Sequence, residues 1–152
     1  MLPNLNLPIY LFKFREQDQR TQIFDSIRRK YVALTPEEWV RQNFVQYLIK
    51  EKGFPPSLIA IEMGLKYNGL VKRGDVVVYN KAGLPLLMVE CKAPEIKITQ
   101  AVFDQIARYN KVLKVKYLVV TNGLNHYCCK MEYSEENYSF IQEIPEYALI
   151  KF

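Results

Sequence analysis

Three cysteines, one histidine and one tryptophan in 152 residues leave little room for several kinds of chemistry. Two of the cysteines, Cys128 and Cys129, are adjacent. Neighbours in an extended segment point to opposite faces, so no disulfide framework is expected. Zinc is disfavoured on the same ground, and the lone His126 makes a poor fourth ligand. No stretch of about 18 or more apolar residues occurs, so no helix is expected to span a membrane. The N-terminus lacks the basic region and long apolar run of a secretory signal. No Gly-x-x-x-x-Gly-Lys-Ser/Thr phosphate loop is present, which leaves no nucleotide-driven motor in this chain. Repeats, low-complexity tracts and long linkers are missing too. Together these absences describe a reduced, cytoplasmic protein with no membrane partner.

What is present describes a folded globule. Apolar residues make up 49% and aromatics 13%, enough for one substantial core in a chain of this size. The 21 Lys and Arg against 16 Asp and Glu give a net charge of +5. That excess permits a polyanionic partner without pointing to one.

Residues 1–33 read as an N-terminal extension packed on a domain of residues 34–152. In the extension, Leu7–Phe14 and Thr21–Phe24 are expected to pair as a short hairpin across the polar Arg15–Arg20. Arg28-Arg29-Lys30 reads as a solvated turn. Thr35-Pro36-Glu37-Glu38 is a helix start, with Thr at the N-cap, Pro at the first helical position and Glu38 completing a capping box. The helix should end near Lys52, before Gly53 and Pro55-Pro56. Strand-like segments follow at Ser57–Lys66, Val71–Tyr79 and Leu84–Cys91. A helical period covers Thr99–Leu113, and further strands are expected at Tyr117–Val120, Leu124–Met131 and Tyr138–Ile144. The order predicts an α/β (α+β) fold, a mixed sheet flanked by helices with an αβββαβ core.

Chemistry concentrates in Arg73-Gly-Asp75-Val-Val-Val-Tyr79 and Leu86-Leu-Met-Val-Glu90-Cys-Lys92. Glu90 and Lys92 are two apart on a strand and share a face, with Val89 and Cys91 turned into the opposite core. Antiparallel pairing of the two segments can set Asp75 beside Glu90. Two neighbouring carboxylates are costly unless a cation neutralises them, and all-oxygen ligation suits Mg²⁺, or Mn²⁺, rather than zinc. A divalent ion on Asp75, Glu90 and the Cys91 carbonyl would bind a phosphate and acidify a water. Lys92 would orient that water or stabilise charge on the phosphate. Glu-x-Lys alone is a common surface ion pair; the upstream Asp with its apolar flank makes the pattern more specific.

These residues, with Val89-Glu-Cys-Lys-Ala-Pro94, resemble the PD-(D/E)xK nuclease superfamily, and within it the N-terminal domain of type I restriction enzyme R subunits. The likeness runs from about Leu34 to Gly123 and departs at Gly74, where the superfamily name has proline. It implies a restriction-endonuclease-like fold, Asp75 and Glu90 as metal ligands and Lys92 as the catalytic lysine. The same branch carries Gln-x-x-x-Tyr on the following helix, here Gln105-Ile-Ala-Arg-Tyr109. Val102, Gln105, Ile106, Tyr109 and Leu113 make one helical stripe, so Gln105 is expected to be a buried amide that finds its partners at the site. The resemblance also implies an acid on the first helix. Glu38 has the capping role available, whereas Glu37 falls on the stripe with Val40, Arg41, Phe44 and Leu48, so Glu37 is favoured as the third metal ligand, steadied by Arg41. Glu62, at the end of an apolar run, is read as a solvated strand residue, with a further acidic neighbour of the site as the alternative.

The expectation is a Mg²⁺-dependent endodeoxyribonuclease domain acting on DNA, duplex over single strand, in company with restriction-system subunits or a separate motor protein. The alternative is a non-catalytic nucleic-acid-binding or scaffolding module that keeps the fold. A metal-free RNA-splicing type of nuclease is disfavoured, since its histidine base has only His126 as a candidate.

Overall fold

The structure is a computed structural model that describes residues 2–67, 70–110, 114–132 and 137–150; side chains of 62–74, 109–113 and 133–137 lie outside that description. Two sheets are present. The smaller contains β1 (Phe14–Gln17), β2 (Arg20–Asp25) and β3 (Lys30–Ala33), all antiparallel. The larger follows α1 (Pro36–Lys50) and contains β4 (Ile59–Tyr67), β5 (Leu70–Tyr79) and β6 (Pro85–Cys91), then, after α2 (Gln100–Asn110), β7 (Tyr117–Thr121), β8 (His126–Glu132) and β9 (Asn137–Ile141). Its strands lie in the order β4 to β9. Only β6 and β7 run parallel, joined by the α2 crossover; the other neighbouring pairs are antiparallel. This is the mixed sheet and αβββαβ order expected from the sequence.

The sheet separates two cores. Val76, Val78, Leu87, Val89 and Cys91 pack toward Val40, Phe44 and Leu48 of α1. Val77, Met88, Leu118 and Val120 pack toward Phe103, Ile106 and Ala107 of α2. Strand alternation divides the adjacent cysteines as expected, Cys128 to the first core and Cys129 to the second. All three cysteines are free thiols.

The N-terminal hairpin is displaced from its expected position. β1 is Phe14–Gln17, paired with β2 from Phe14↔Ile23 to Gln17↔Arg20. The turn residues Asp18 and Gln19 have φ of 51° and 63°, and a two-residue turn with both central residues in this region sets the register. Residues 7–13 form no strand. Leu5 and Leu7 instead pack on the first core, and the Asn6 N–H donates to the Gly123 carbonyl at 2.8 Å. Gly123 itself has φ of +86°, and a side-chain carbon there would lie 2.7 Å from Leu5, so this contact requires glycine.

Candidate active site

α1 begins as its sequence dictates, with the Thr35 hydroxyl accepting the Glu38 N–H at 3.0 Å. The Glu38 side chain does not remain at the cap, however. It is buried and accepts from Arg41 Nη1 at 2.6 Å, Gln42 Nε2 at 3.0 Å and Arg28 Nη2 at 3.3 Å. Asp25 completes this cluster. Its Oδ1 accepts the backbone N–H groups of Ile27 and Arg28, and its Oδ2 accepts Arg28 Nε at 2.7 Å and Gln42 Nε2 at 2.9 Å. Burial alone would push the Asp25 carboxyl up, but these donors together hold it below its ordinary value. Arg28 is therefore a structural cation rather than part of a solvated turn.

On the other side of α1 the sheet opens. β5 and β6 pair from Val78↔Leu87 to Val76↔Val89, and one further step in that register sets Asp75 against Glu90. Among the described residues the pairing runs no further, and the Asp75 carboxylate takes up the next β6 N–H. Its Oδ2 accepts the Cys91 N–H at 2.7 Å, while Oδ1 accepts Arg41 Nη2 at 2.8 Å. Lys92 is fixed from the far side by its own N–H, which donates to the Thr121 carbonyl of β7 at 2.8 Å. Its Nζ lies 3.5 Å from Glu90 Oε1. Glu90, Asp75 and Lys92 thus meet where sequence alternation places them.

Burial first, and then the Asp75 charge, push the Glu90 carboxyl up to about 7, against the opposing pull of Lys92. Burial and the same Asp75 charge raise Glu37 as well. Glu37 keeps 47% of its side chain exposed, with Arg41 Nη2 at 3.6 Å. Among the described residues no three His, Cys, Asp or Glu side chains are already gathered around one metal position, and Glu37 lies close enough to the Asp75–Glu90 pair to feel the Asp75 charge. A buried and a partly buried carboxylate repelling each other form a donor set that a hard cation suits. Mg²⁺ commonly takes only one or two protein carboxylates and completes its shell with water and phosphate. Among the described residues each Asp75 oxygen accepts one donor, and a carboxylate oxygen has two lone pairs.

Gln105 departs from expectation. The buried face of α2 is Phe103, Ile106 and Ala107, and Gln105 is exposed. Phe103, the largest apolar side chain of the helix, orients it and turns the Gln105 position outward. Tyr109 lies on α2, but its side chain is outside the described residues, as is that of Glu62. The arginine bridge was visible in sequence only as the i+4 neighbour of Glu37. Its partner Asp75 lies 34 positions away, and no local pattern announces such a pairing.

An α+β domain whose sheet forks around Asp75, Glu90 and Lys92 has a nuclease-like architecture. The chain belongs to the family described as the type I restriction enzyme R protein N terminus (HSDR_N), whose model matches residues 36–145. Its fold is similar to a fragment structure of a protein described as an HsdR subunit of a type I restriction enzyme from Vibrio vulnificus YJ016, with a TM-score of 0.52 and 21% identity. That likeness covers 74% of this chain and 24% of the fragment, so the chain spans about a quarter of its structural relative. A search of curated protein sequences gives no match. No helix among the described residues is long and apolar enough to cross a membrane.

Proposed function

We propose that this R-subunit N-terminal domain is a Mg²⁺-dependent endodeoxyribonuclease, with Mn²⁺ able to substitute. The observation that carries the reading is the geometry itself: the buried Asp75 and partly buried Glu90 carboxylates adjoin, with a lysine 3.5 Å from Glu90. Asp75 and Glu90 would hold the ion, with Glu37 nearby. When bound, such an ion supplies Lewis-acid polarisation of a phosphate and a more acidic water. Lys92, anchored through its backbone to β7, holds its ammonium where it can orient the attacking water or meet charge on the phosphate. Hydrolysis forms a phosphorus–oxygen bond to water and breaks the bond to the leaving sugar oxygen, which takes up a proton. Tyr109 and Gln105 of α2 are assigned to the site through the family motif alone.

In this reading residues 34–152 are the nuclease domain and 1–33 an extension packed on it through Leu5, Leu7 and Ile27. The partners are duplex DNA and either other subunits of a restriction system or a separate motor protein. One observation favours the non-catalytic alternative: Arg41 already supplies Asp75 with a cation. Plasmid and oligonucleotide cleavage with Mg²⁺ or Mn²⁺ separates the two readings. The wild type should cleave, and Asp75→Ala and Lys92→Ala should each lose roughly 10²-fold or more in rate. Cleavage that survives either substitution, or that persists in EDTA, defeats the mechanism. A folded protein that binds DNA and stays inert with every metal is the binding module.

A further inference from the structure

Glu90 belongs to a row of paired residues that continues across the sheet. Glu90 pairs with Val120 on β7, and Val120 pairs with Tyr127 on β8. Laterally paired residues project from the same face, so Tyr127 stands on the Glu90 face, two strands away, at roughly 10 Å. Phe140 lies beside it on β9, on the same face through its pairing with Cys129. Tyr127 and Phe140 are 38% and 50% exposed. With Ile98, Thr99, Gln100 and Phe103 they line a cleft of about 220 Å³, smaller than a drug-sized pocket.

The cleft is firmly built. One side of Phe140 is supported by Phe103, with ring centroids 5.0 Å apart, and by Tyr138 at 5.7 Å. Tyr138 is anchored in turn by its hydroxyl, which donates to Asp104. The near wall, Ile98 and Thr99, ends the loop that starts at Lys92. That loop is pinned to the end of β7, where the Asn122 amide donates to the Ile96 carbonyl at 2.9 Å. The rim offers one donor and one acceptor. The Thr99 hydroxyl accepts the Val102 N–H and can donate outward. The Gln100 amide donates to Asp104 and Tyr138, and so presents its carbonyl oxygen.

We propose that this cleft is a subsite for one unpaired nucleobase of the DNA strand whose phosphate lies at Glu90. The inference rests on the nuclease reading and deepens it, because it assigns the domain a DNA that is duplex away from the cut and has at least one base unpaired and unstacked beside it. Exposed aromatic rings bind bases by stacking without sequence preference, and a rim with both donor and acceptor matches the mixed edges of a base. The separation of about 10 Å corresponds to some three stacked nucleotides, fewer when the strand is extended. Continuity with the candidate site decides for a base over a protein segment: one row of residues and one short loop join the two.

The test measures binding of fluorescent oligonucleotides by anisotropy in EDTA, so that no cleavage intervenes. Tyr127→Ala should bind a single strand roughly ten-fold more weakly, Tyr127→Trp should restore binding, and Phe140→Ala should repeat the loss. An abasic site should weaken wild-type binding to the same degree and add nothing to the loss in Tyr127→Ala. Unchanged binding by both alanine variants overturns the subsite, as does an equal loss for blunt duplex and single strand. Thermal melting of each variant identifies misfolded protein. A subsite confirmed in EDTA with no cleavage in Mg²⁺ defeats the nuclease reading alone, whereas cleavage with unaltered Tyr127→Ala binding defeats the subsite alone.

Discussion

Two charged clusters flank the N-terminal half of α1, and they are built on opposite principles. The Asp25–Arg28–Glu38–Gln42 cluster is closed: both oxygens of each acid accept donors, and the Asp25 carboxyl sits below its ordinary value. The Asp75–Glu90–Glu37 cluster is open: its acids repel one another, Glu90 rises to about 7, and Lys92 approaches no closer than 3.5 Å. A protein that needed only stability would have closed both, since unpaired buried charge costs several kcal/mol. The closed cluster has the bonding of a scaffold, and the open one carries the uncompensated charge that the proposed cation would neutralise. Arg41 belongs to both, with Nη1 on Glu38 and Nη2 on Asp75.

Breaking that shared residue should have the largest effect. Arg41→Met removes the cation from two buried partnerships and should cost about 3–5 kcal/mol, a fall in Tm on the order of 10 °C for a chain of this length. The comparison makes a second demand. Mg²⁺ or Mn²⁺ should raise the Tm of Arg41→Met more than that of the wild type, because the ion substitutes for the lost guanidinium only on the Asp75 side. Calorimetry with and without metal checks both. Equal metal-induced shifts would mean that Arg41 does not compete for the same charge.

The clusters should also respond to pH with opposite signs. Glu90 has a raised folded-state value, so its stabilising contribution is present below about 4.5 and lost as pH rises through about 7. Metal-free Glu90→Gln should therefore be more stable than wild type at pH 8, by about 1–2 kcal/mol after allowance for its partial exposure, and indistinguishable at pH 4. Asp25 has a lowered folded-state value, so its contribution is present above 3.8 and lost as pH falls through the lower value. Asp25→Asn should be destabilised by roughly 2 kcal/mol at pH 8, and its deficit should shrink in acid. Denaturant melts at pH 8 and 4 decide the Glu90 case, and the Asp25 deficit should persist at pH 4 and shrink only as pH falls further below 3.8; a Glu90→Gln variant that melts lower at pH 8 would show that the open cluster is not strained.

The open cluster was far more legible in the sequence than the closed one. Alternation along β5 and β6 is local and strict, so the sequence alone places Asp75, Glu90 and Lys92 together. Thr35-Pro36 likewise marks the start of α1 through chemistry confined to one turn. The closed cluster joins Asp25 to Gln42 across 17 positions, and the bridge from it to the open one joins Arg41 to Asp75 across 34; periodicity carries no information at that range. The hairpin was misplaced because Asp18 and Gln19 take positive φ without the glycine or asparagine that usually announces it. Gln105 lies on the stripe of Ile106 and Tyr109 by spacing, but the buried face of α2 runs through Phe103, Ile106 and Ala107 and leaves Gln105 outside it.

The smallest effect concerns the two adjacent acids of α1, and it tests whether the division between the clusters runs between them. Glu38 faces the closed side and is buried with three donors. Glu37 faces the open side, half-exposed, with Arg41 no closer than 3.6 Å. Glu37→Gln should shift stability by less than about 0.5 kcal/mol, as surface substitutions do. It should nonetheless weaken Mn²⁺ binding roughly ten-fold, the scale expected for a group that supports a metal from just outside its ligands. Glu38→Gln should do the reverse, lowering Tm while leaving Mn²⁺ affinity nearly unchanged. Titration of each variant with Mn²⁺, followed by the paramagnetic signal of the free ion, measures the affinity directly. If Glu38→Gln alone weakened the metal, the helix acid of the site would be the buried one, and the closed cluster would be part of the catalytic machinery rather than its support.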